Sequence, residues 1–217
     1  MMFGAKLLDR LRGRELDDPT NSATSGLDRD SLAEDYFQTG RELVRRGLYA
    51  EAIAQFRRAL RIDPNLATAQ HELGVAHHNL GQFGEAIKAY QATIRLQPDH
   101  PEAHCNLGMA YDQVGNFVEA VKSYMRAIRL KPDDVEVRNH LGVAYFHIGS
   151  YAEAIRAHTQ ALQIKPDDAR AHYCLAHVHI DLKDKEAALK EHKILCELGQ
   201  AEIAAQLLNE IHWQFLR

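Results

Sequence analysis

Proline recurs every 34 residues along most of this 217-residue chain, at Pro64, Pro98, Pro132 and Pro166. Glycine keeps the same step at Gly40, Gly74, Gly108 and Gly142, and again at Gly47, Gly81, Gly115 and Gly149. Alanine follows at Ala52, Ala86, Ala120, Ala154 and Ala188. Self-similarity at this period marks a stack of one repeated supersecondary unit, because a single unit cannot bury its apolar face alone. Within each unit, apolar residues fall at helical spacing in two blocks split by glycine; in the second they run from Ala69 to Leu80 and from Phe83 to Leu96. Gly81 supplies the left-handed conformation that ends the first block, and the proline stops the second. Each unit therefore reads as a helical hairpin, and the chain as an all-α solenoid of antiparallel helix pairs.

Composition narrows the function classes. With 46% hydrophobic and 26% charged residues the chain has an ordinary globular balance. A net charge of −4 argues against a strongly basic face that would grip nucleic acid. No run is long and apolar enough to cross a membrane. Cys105, Cys174 and Cys196 are too few and too scattered for a disulfide framework, so a reducing cytoplasm is the expected setting.

The first 30 residues differ from the rest. Lys6, Arg10, Arg12 and Arg14 outweigh Asp9 in a short amphipathic segment whose Phe3, Leu7, Leu8 and Leu11 share helical spacing. Residues 15–30, with five acids against Arg29 and a Pro-Thr-Asn-Ser-Ala-Thr-Ser-Gly stretch, read as a flexible linker. Two readings of residues 1–14 stand open: peripheral docking on a membrane or partner through Phe3 and Leu7, or a tail that frays or folds back.

The repeated unit resembles the tetratricopeptide repeat family. Its signature offsets hold His104, Leu107-Gly108, Tyr111, Ala120, Tyr124, Ala127 and Pro132 in the third unit. Units are assigned to residues 33–66, 67–100, 101–134, 135–168 and a degenerate 169–202, with a capping helix over 203–217. The fifth departs from the pattern at Ala176, Lys183 and Gln200, as edge repeats do. In the final helix Ile203, Leu207, Ile211 and Phe215 form one apolar stripe, with Trp213 off it.

The resemblance implies a right-handed superhelix whose first helices line a concave groove. On that pattern the groove positions are Arg41, Val44 and Arg45; His71, Val75, His78 and Asn79; Cys105, Met109 and Asp112; Asn139, Val143, Phe146 and His147; and Tyr173, His177 and Ile180. An apolar strip of Val75, Met109, Val143, Phe146, Tyr173 and Ile180 with a polar rim suits a protein or peptide partner, as an amphipathic helix or an extended segment. The family's chaperone-tail clamp is not matched, since only Asn106 has the right type among its positions. Two functions follow as expectations. One is a non-enzymatic scaffold or adaptor in complex assembly, binding a partner polypeptide in the groove. The other is a structural subunit of a larger, membrane-associated assembly held by the convex face, the Trp213 helix and residues 1–14.

The 13 histidines invite a metal reading. No HExxH or Cys/His doublet supports it, and His77, His104, His158, His172, His179 and His192 all fall at the family's aromatic or large packing places. No catalytic constellation, metal site or cofactor is expected.

Overall fold

The computed structural model describes residues 26–215, and among them eleven helices and no strand. They are α1 (Gly26–Arg45), α2 (Tyr49–Ile62), α3 (Ala67–Asn79), α4 (Phe83–Leu96), α5 (Pro101–Gln113), α6 (Phe117–Leu130), α7 (Val135–His147), α8 (Tyr151–Ile164), α9 (Ala169–Asp181), α10 (Lys185–Glu197) and α11 (Ala201–Phe215). From α2 to α10 the first residues of equivalent helices stand 34 apart in sequence, so the helical boundaries keep the period of the prolines. The chain is an all-α helical solenoid of hairpin repeats. The described residues divide into two compact units, between residues 110 and 111.

The periodic residues act as the sequence implies. Ala52, Ala86, Ala120, Ala154 and Ala188 are each fully buried, at the place where a larger side chain would push the second helix away. Four residues on, Phe56, Tyr90, Tyr124 and His158 are also sealed from solvent. In residues 1–110 the ring of Phe56 faces Gly40 and that of Tyr90 faces Gly74. A methyl group on either glycine would come within 2.5 Å and 2.6 Å of the ring. These glycines are therefore required by close approach, not by dihedral angle.

The turn glycines have the opposite reason. Gly47, Gly81, Gly115 and Gly149 have φ between 70° and 75° and nothing within 4 Å of a built side chain. The amide of Gly81 donates to His78 O at 2.9 Å, and that of Gln82 to His77 O at 2.9 Å, the paired bonds of a Schellman turn. Side-chain caps from Asn116, Asp134 and Asp184 open α6, α7 and α10.

Two boundaries differ from the sequence reading, and the turn at Lys183 departs from the other hairpins as that reading expects. Helix α1 begins at Gly26, inside the stretch 15–30 assigned to a linker, because no proline interrupts the chain between Leu27 and Arg45. Lys183 takes the left-handed turn position, with φ 62°, where the other hairpins place glycine. The last helix begins at Ala201, two residues earlier than 203, because Gly199 (φ 72°) ends α10 with its own Schellman pair in place of a proline exit. Helix α11 buries Ala204, Leu207 and Ile211 against Ala176, Ile180, Ala188 and Leu195, which closes the end of the hydrophobic core. Among the described residues no helix is long and apolar enough to cross a membrane.

Candidate functional site

The first helices of the hairpins present the residues expected to bind. In residues 1–110, Arg41 lies 5.7 Å from the centre of the Phe37 ring, and Arg45 pairs with Glu42 at 3.0 Å. Both cations bear on Glu72, yet burial dominates and lifts its carboxyl above the ordinary range. Val44 packs against the core formed by Tyr36, Phe37 and Phe56. Val75, Cys105 and Met109 are half-buried, while Asn79 is exposed and donates to Val75 O at 2.8 Å.

His71 is fully engaged by its neighbours. It stacks on His100 with centroids 5.0 Å apart, tilts against Tyr90 at 5.8 Å and meets Asn106 Nδ2 at 3.1 Å. Asn106 Nδ2 is a donor, so His71 Nε2 accepts and the ring is neutral. Burial, with the His100 charge as a second cause, holds its pKa at about 4. His78 sets its ring edge-on to Phe83 at 5.2 Å, and burial lowers its pKa as well.

In residues 111–217, Asp112 accepts from Tyr124 Oη at 2.6 Å, while its second oxygen is buried without a hydrogen-bond partner. Burial raises this carboxyl above its usual range. An aromatic row follows. Phe117 stacks on exposed His147 at 4.3 Å, His147 meets Phe146 at 5.7 Å, and Phe146 meets Tyr151 at 5.8 Å. Val143, Phe146, Tyr173 and His177 are half-buried, each retaining an accessible edge.

Two expected groove residues are withdrawn from any open surface. Asn139 is 2% exposed: its Nδ2 donates to Asp168 Oδ2 at 2.5 Å and its Oδ1 meets His158 Nδ1 at 3.1 Å. It ties its own hairpin to the entry of α9, a task its polar side chain performs only when buried with both partners. Ile180 is 6% exposed and sits in the core against α11, which covers the side that an unfinished stack would leave open. Phe3 and Leu7 lie outside the described residues. Trp213 is 70% exposed.

Helix α11 contributes more than a cover. Glu210 Oε1 accepts from Tyr173 Oη at 3.3 Å and from Gln206 Nε2 at 3.0 Å, and its Oε2 lies 3.1 Å from His177 Nε2. Burial, and then the Glu210 charge, raise the Tyr173 phenol pKa. Sequence reasoning singled out Trp213 on this helix but missed Gln206 and Glu210 as site residues, because apart from Trp213 the helix was read by its apolar stripe. The signal was present: Gln206, Glu210 and Trp213 recur at helical spacing on another side of that helix.

The histidines expected to replace packing rings are mostly interior: His77, His104, His158 and His172 are buried, and His179 and His192 half-buried. Among the described residues no group of three His, Cys, Asp or Glu side chains is placed to hold a metal ion.

Comparison with known proteins gives a consistent family. A model described as TPR repeat matches residues 40–81, and models described as tetratricopeptide repeat match residues 65–133, 105–169 and 149–191. No curated protein matches the sequence. Among solved structures the chain is similar to a MamA protein, at 24% identity and TM-score 0.75, covering 78% of this chain and 92% of that one. It is similar also to MamA from Desulfovibrio magneticus RS-1, at 22% identity and TM-score 0.75 over 78% and 96% of the two chains. YrrB, a TPR protein with an unusual peptide-binding site, aligns at 19% identity and TM-score 0.75 over 87% of this chain and all of its own.

Proposed function

Since the chain belongs to the tetratricopeptide repeat family, we propose that it is a non-enzymatic scaffold that holds a partner polypeptide against the first helices of its hairpins. The observation that carries this reading is the aromatic row in which Phe146 and His147 of the first helix α7 meet Phe117 and Tyr151 at the starts of the second helices α6 and α8. Val143 is also on α7, and Tyr173 is on the next first helix, α9. Rings and branched side chains that keep an open edge offer contact area at small entropic cost, and the flanking Asp112, Asp181 and Glu136 supply a polar border. The partner's apolar side chains would lie on the rings and its polar backbone against that border. The peptide-binding site of YrrB, on the same fold, supports the assignment of a peptide or protein partner. Assembly of a multiprotein complex follows if one copy holds its partner here and uses the N-terminal segment elsewhere.

The test is crosslinking capture from native lysate by the full chain and by a Val143→Glu, Phe146→Glu variant, with helicity and melting temperature measured alongside. His147→Glu, at an exposed position, provides a second variant that leaves the fold untouched. Loss of the captured partner from both variants at unchanged helicity is the expected result. Equal capture by all three proteins would overturn the reading.

A further inference from the structure

We propose that the cleft between α9 and α11 is a pocket for a guanidinium group, so that the partner polypeptide is anchored there by an arginine side chain. The cleft has a volume of about 500 Å³ and is lined by His177, Ile180 and Asp181 from α9 and by Glu210, Trp213 and Gln214 from α11. That volume suits a whole side chain with some of its backbone. This inference rests on the reading of the first helices as a partner-binding surface, because α9 is one of them.

The chemistry of the lining selects the ligand. Two of the six side chains are carboxylates and none is a lysine or arginine. Asp181 is exposed, while the Oε2 atom of Glu210 is buried, so one negative charge stands at the mouth and the other deeper. Glu210 is held in place by the hydroxyl of Tyr173 and the amide of Gln206, and its Oε2 makes no hydrogen bond of good geometry even with His177 beside it. The indole of Trp213 stands 70% exposed on the opposite helix from Asp181. A flat ring lining the same cleft as two carboxylates fits a group that is itself flat, cationic and able to donate along its edge. Guanidinium meets all three conditions, stacking on the indole while its N–H groups reach the carboxylate. An ammonium group satisfies only the charge. A peptide carboxylate is repelled by both acids.

Trp213 is the only tryptophan of the chain, so its emission reports on this cleft alone. The full chain is titrated at pH 8 with a capped Ala-Arg-Ala peptide and with its citrulline counterpart, which keeps the shape and loses the charge. The expected result is a saturable change in Trp213 emission with the arginine peptide, and binding of the citrulline peptide weaker by about fivefold or more, the equivalent of ~1 kcal/mol. Asp181→Asn, an exposed substitution, should weaken the arginine peptide to a similar degree, and Glu210→Gln should act in the same direction. Equal binding of the two peptides, or no saturable change, or an Asp181→Asn variant that binds as well as the parent, would overturn the pocket. The Val143, Phe146 variant separates the two proposals. Partner capture lost there without any arginine-specific emission change sinks the pocket alone. An arginine-specific change with capture unaffected sinks the larger reading and leaves the pocket standing.

Discussion

The Nε2 edge of His158 faces the α-carbon of Gly142 so closely that a methyl group on the glycine would overlap the ring. Phe56 and Tyr90 meet Gly40 and Gly74 in the same way, so an imidazole here takes the part of a benzene ring. Gly142→Ala should therefore destabilise the protein by about 1–3 kcal/mol through overpacking, read as a shift of the urea midpoint. Gly149→Ala makes a useful contrast, since it meets nothing within 4 Å and suffers only from its φ of 75°. Its penalty should be about 1–2 kcal/mol, and unlike that of Gly142→Ala it should vanish in Gly149→Asn, which tolerates the left-handed region.

Stability should fall as the solution is acidified through the range where His158 would otherwise gain a proton. Its ring is completely buried, its Nδ1 faces Asn139 Oδ1 and its Nε2 has no hydrogen-bond partner. Burial, then the Arg170 charge, hold its pKa down to about 4, against a smaller upward pull from Asp168. The folded value lies below the unfolded one, so the native state resists protonation. The contribution is complete above pH ~6.5 and drains away as pH falls toward 4, each tenfold difference in proton affinity between the two states being worth about 1.4 kcal/mol. Between pH 7.5 and pH 5 this one residue should account for about 2 kcal/mol of lost stability. His158→Phe removes the titration and leaves Asn139 Oδ1 unpaired, so it should be less stable at neutral pH but show a shallower decline in acid. An unchanged slope in denaturant titrations across that range would contradict the assignment.

How much of this was legible beforehand depended on whether a residue obeys the period. Gly40, Ala52, Phe56 and Pro64 recur at fixed phase, and the phase alone gave their hairpin, the burial of the first three and the interior place of His158. Residues that leave the period are chosen by their local neighbours, which one sequence does not display. Asn139 shares a repeat position with Tyr173, and only the geometry reveals that Asp168 and His158 draw it inward. Ile180 occupies a place that is partly open in Phe146, yet α11 covers it. The cleft beside Trp213 was invisible for the same reason, because its two walls come from a repeat helix and from a helix outside the repeat.

Lys183 marks the place where the fifth hairpin can be improved. Its φ of 62° puts a side-chain-bearing residue where Gly47, Gly81, Gly115 and Gly149 sit in the other turns. The turn bonds are nonetheless intact, with Lys183 N donating to Ile180 O at 3.0 Å and Asp184 N to His179 O at 2.8 Å. The left-handed conformation costs a residue with a Cβ about 1–2 kcal/mol, partly offset by the greater chain entropy that glycine loses on folding. Lys183→Gly should raise stability by about 0.5–1 kcal/mol, with a matching increase in melting temperature. A fall in melting temperature would mean that the lysine side chain makes a compensating interaction.

Removal of a single buried leucine from α11 should loosen the end of the stack more than the rest of it. Leu207 is fully buried among Ala176, Ile180, Ala188, Leu195 and Ile211, so its contacts reach both helices of the fifth hairpin. Leu207→Ala should cost about 2–5 kcal/mol, the range for a large-to-small change that leaves a cavity. In a stacked-repeat protein each hairpin draws its stability from its neighbours, so the loss need not spread evenly. Amide hydrogens of α9, α10 and α11 should exchange faster in the variant, while those of α7 and α8 keep most of their protection. Trp213→Ala provides the control, since a side chain 70% exposed should change stability by no more than about 0.5 kcal/mol. Uniform loss of protection across α7 to α11 would show that residues 111–217 open as one cooperative body, and would refute an edge that frays first.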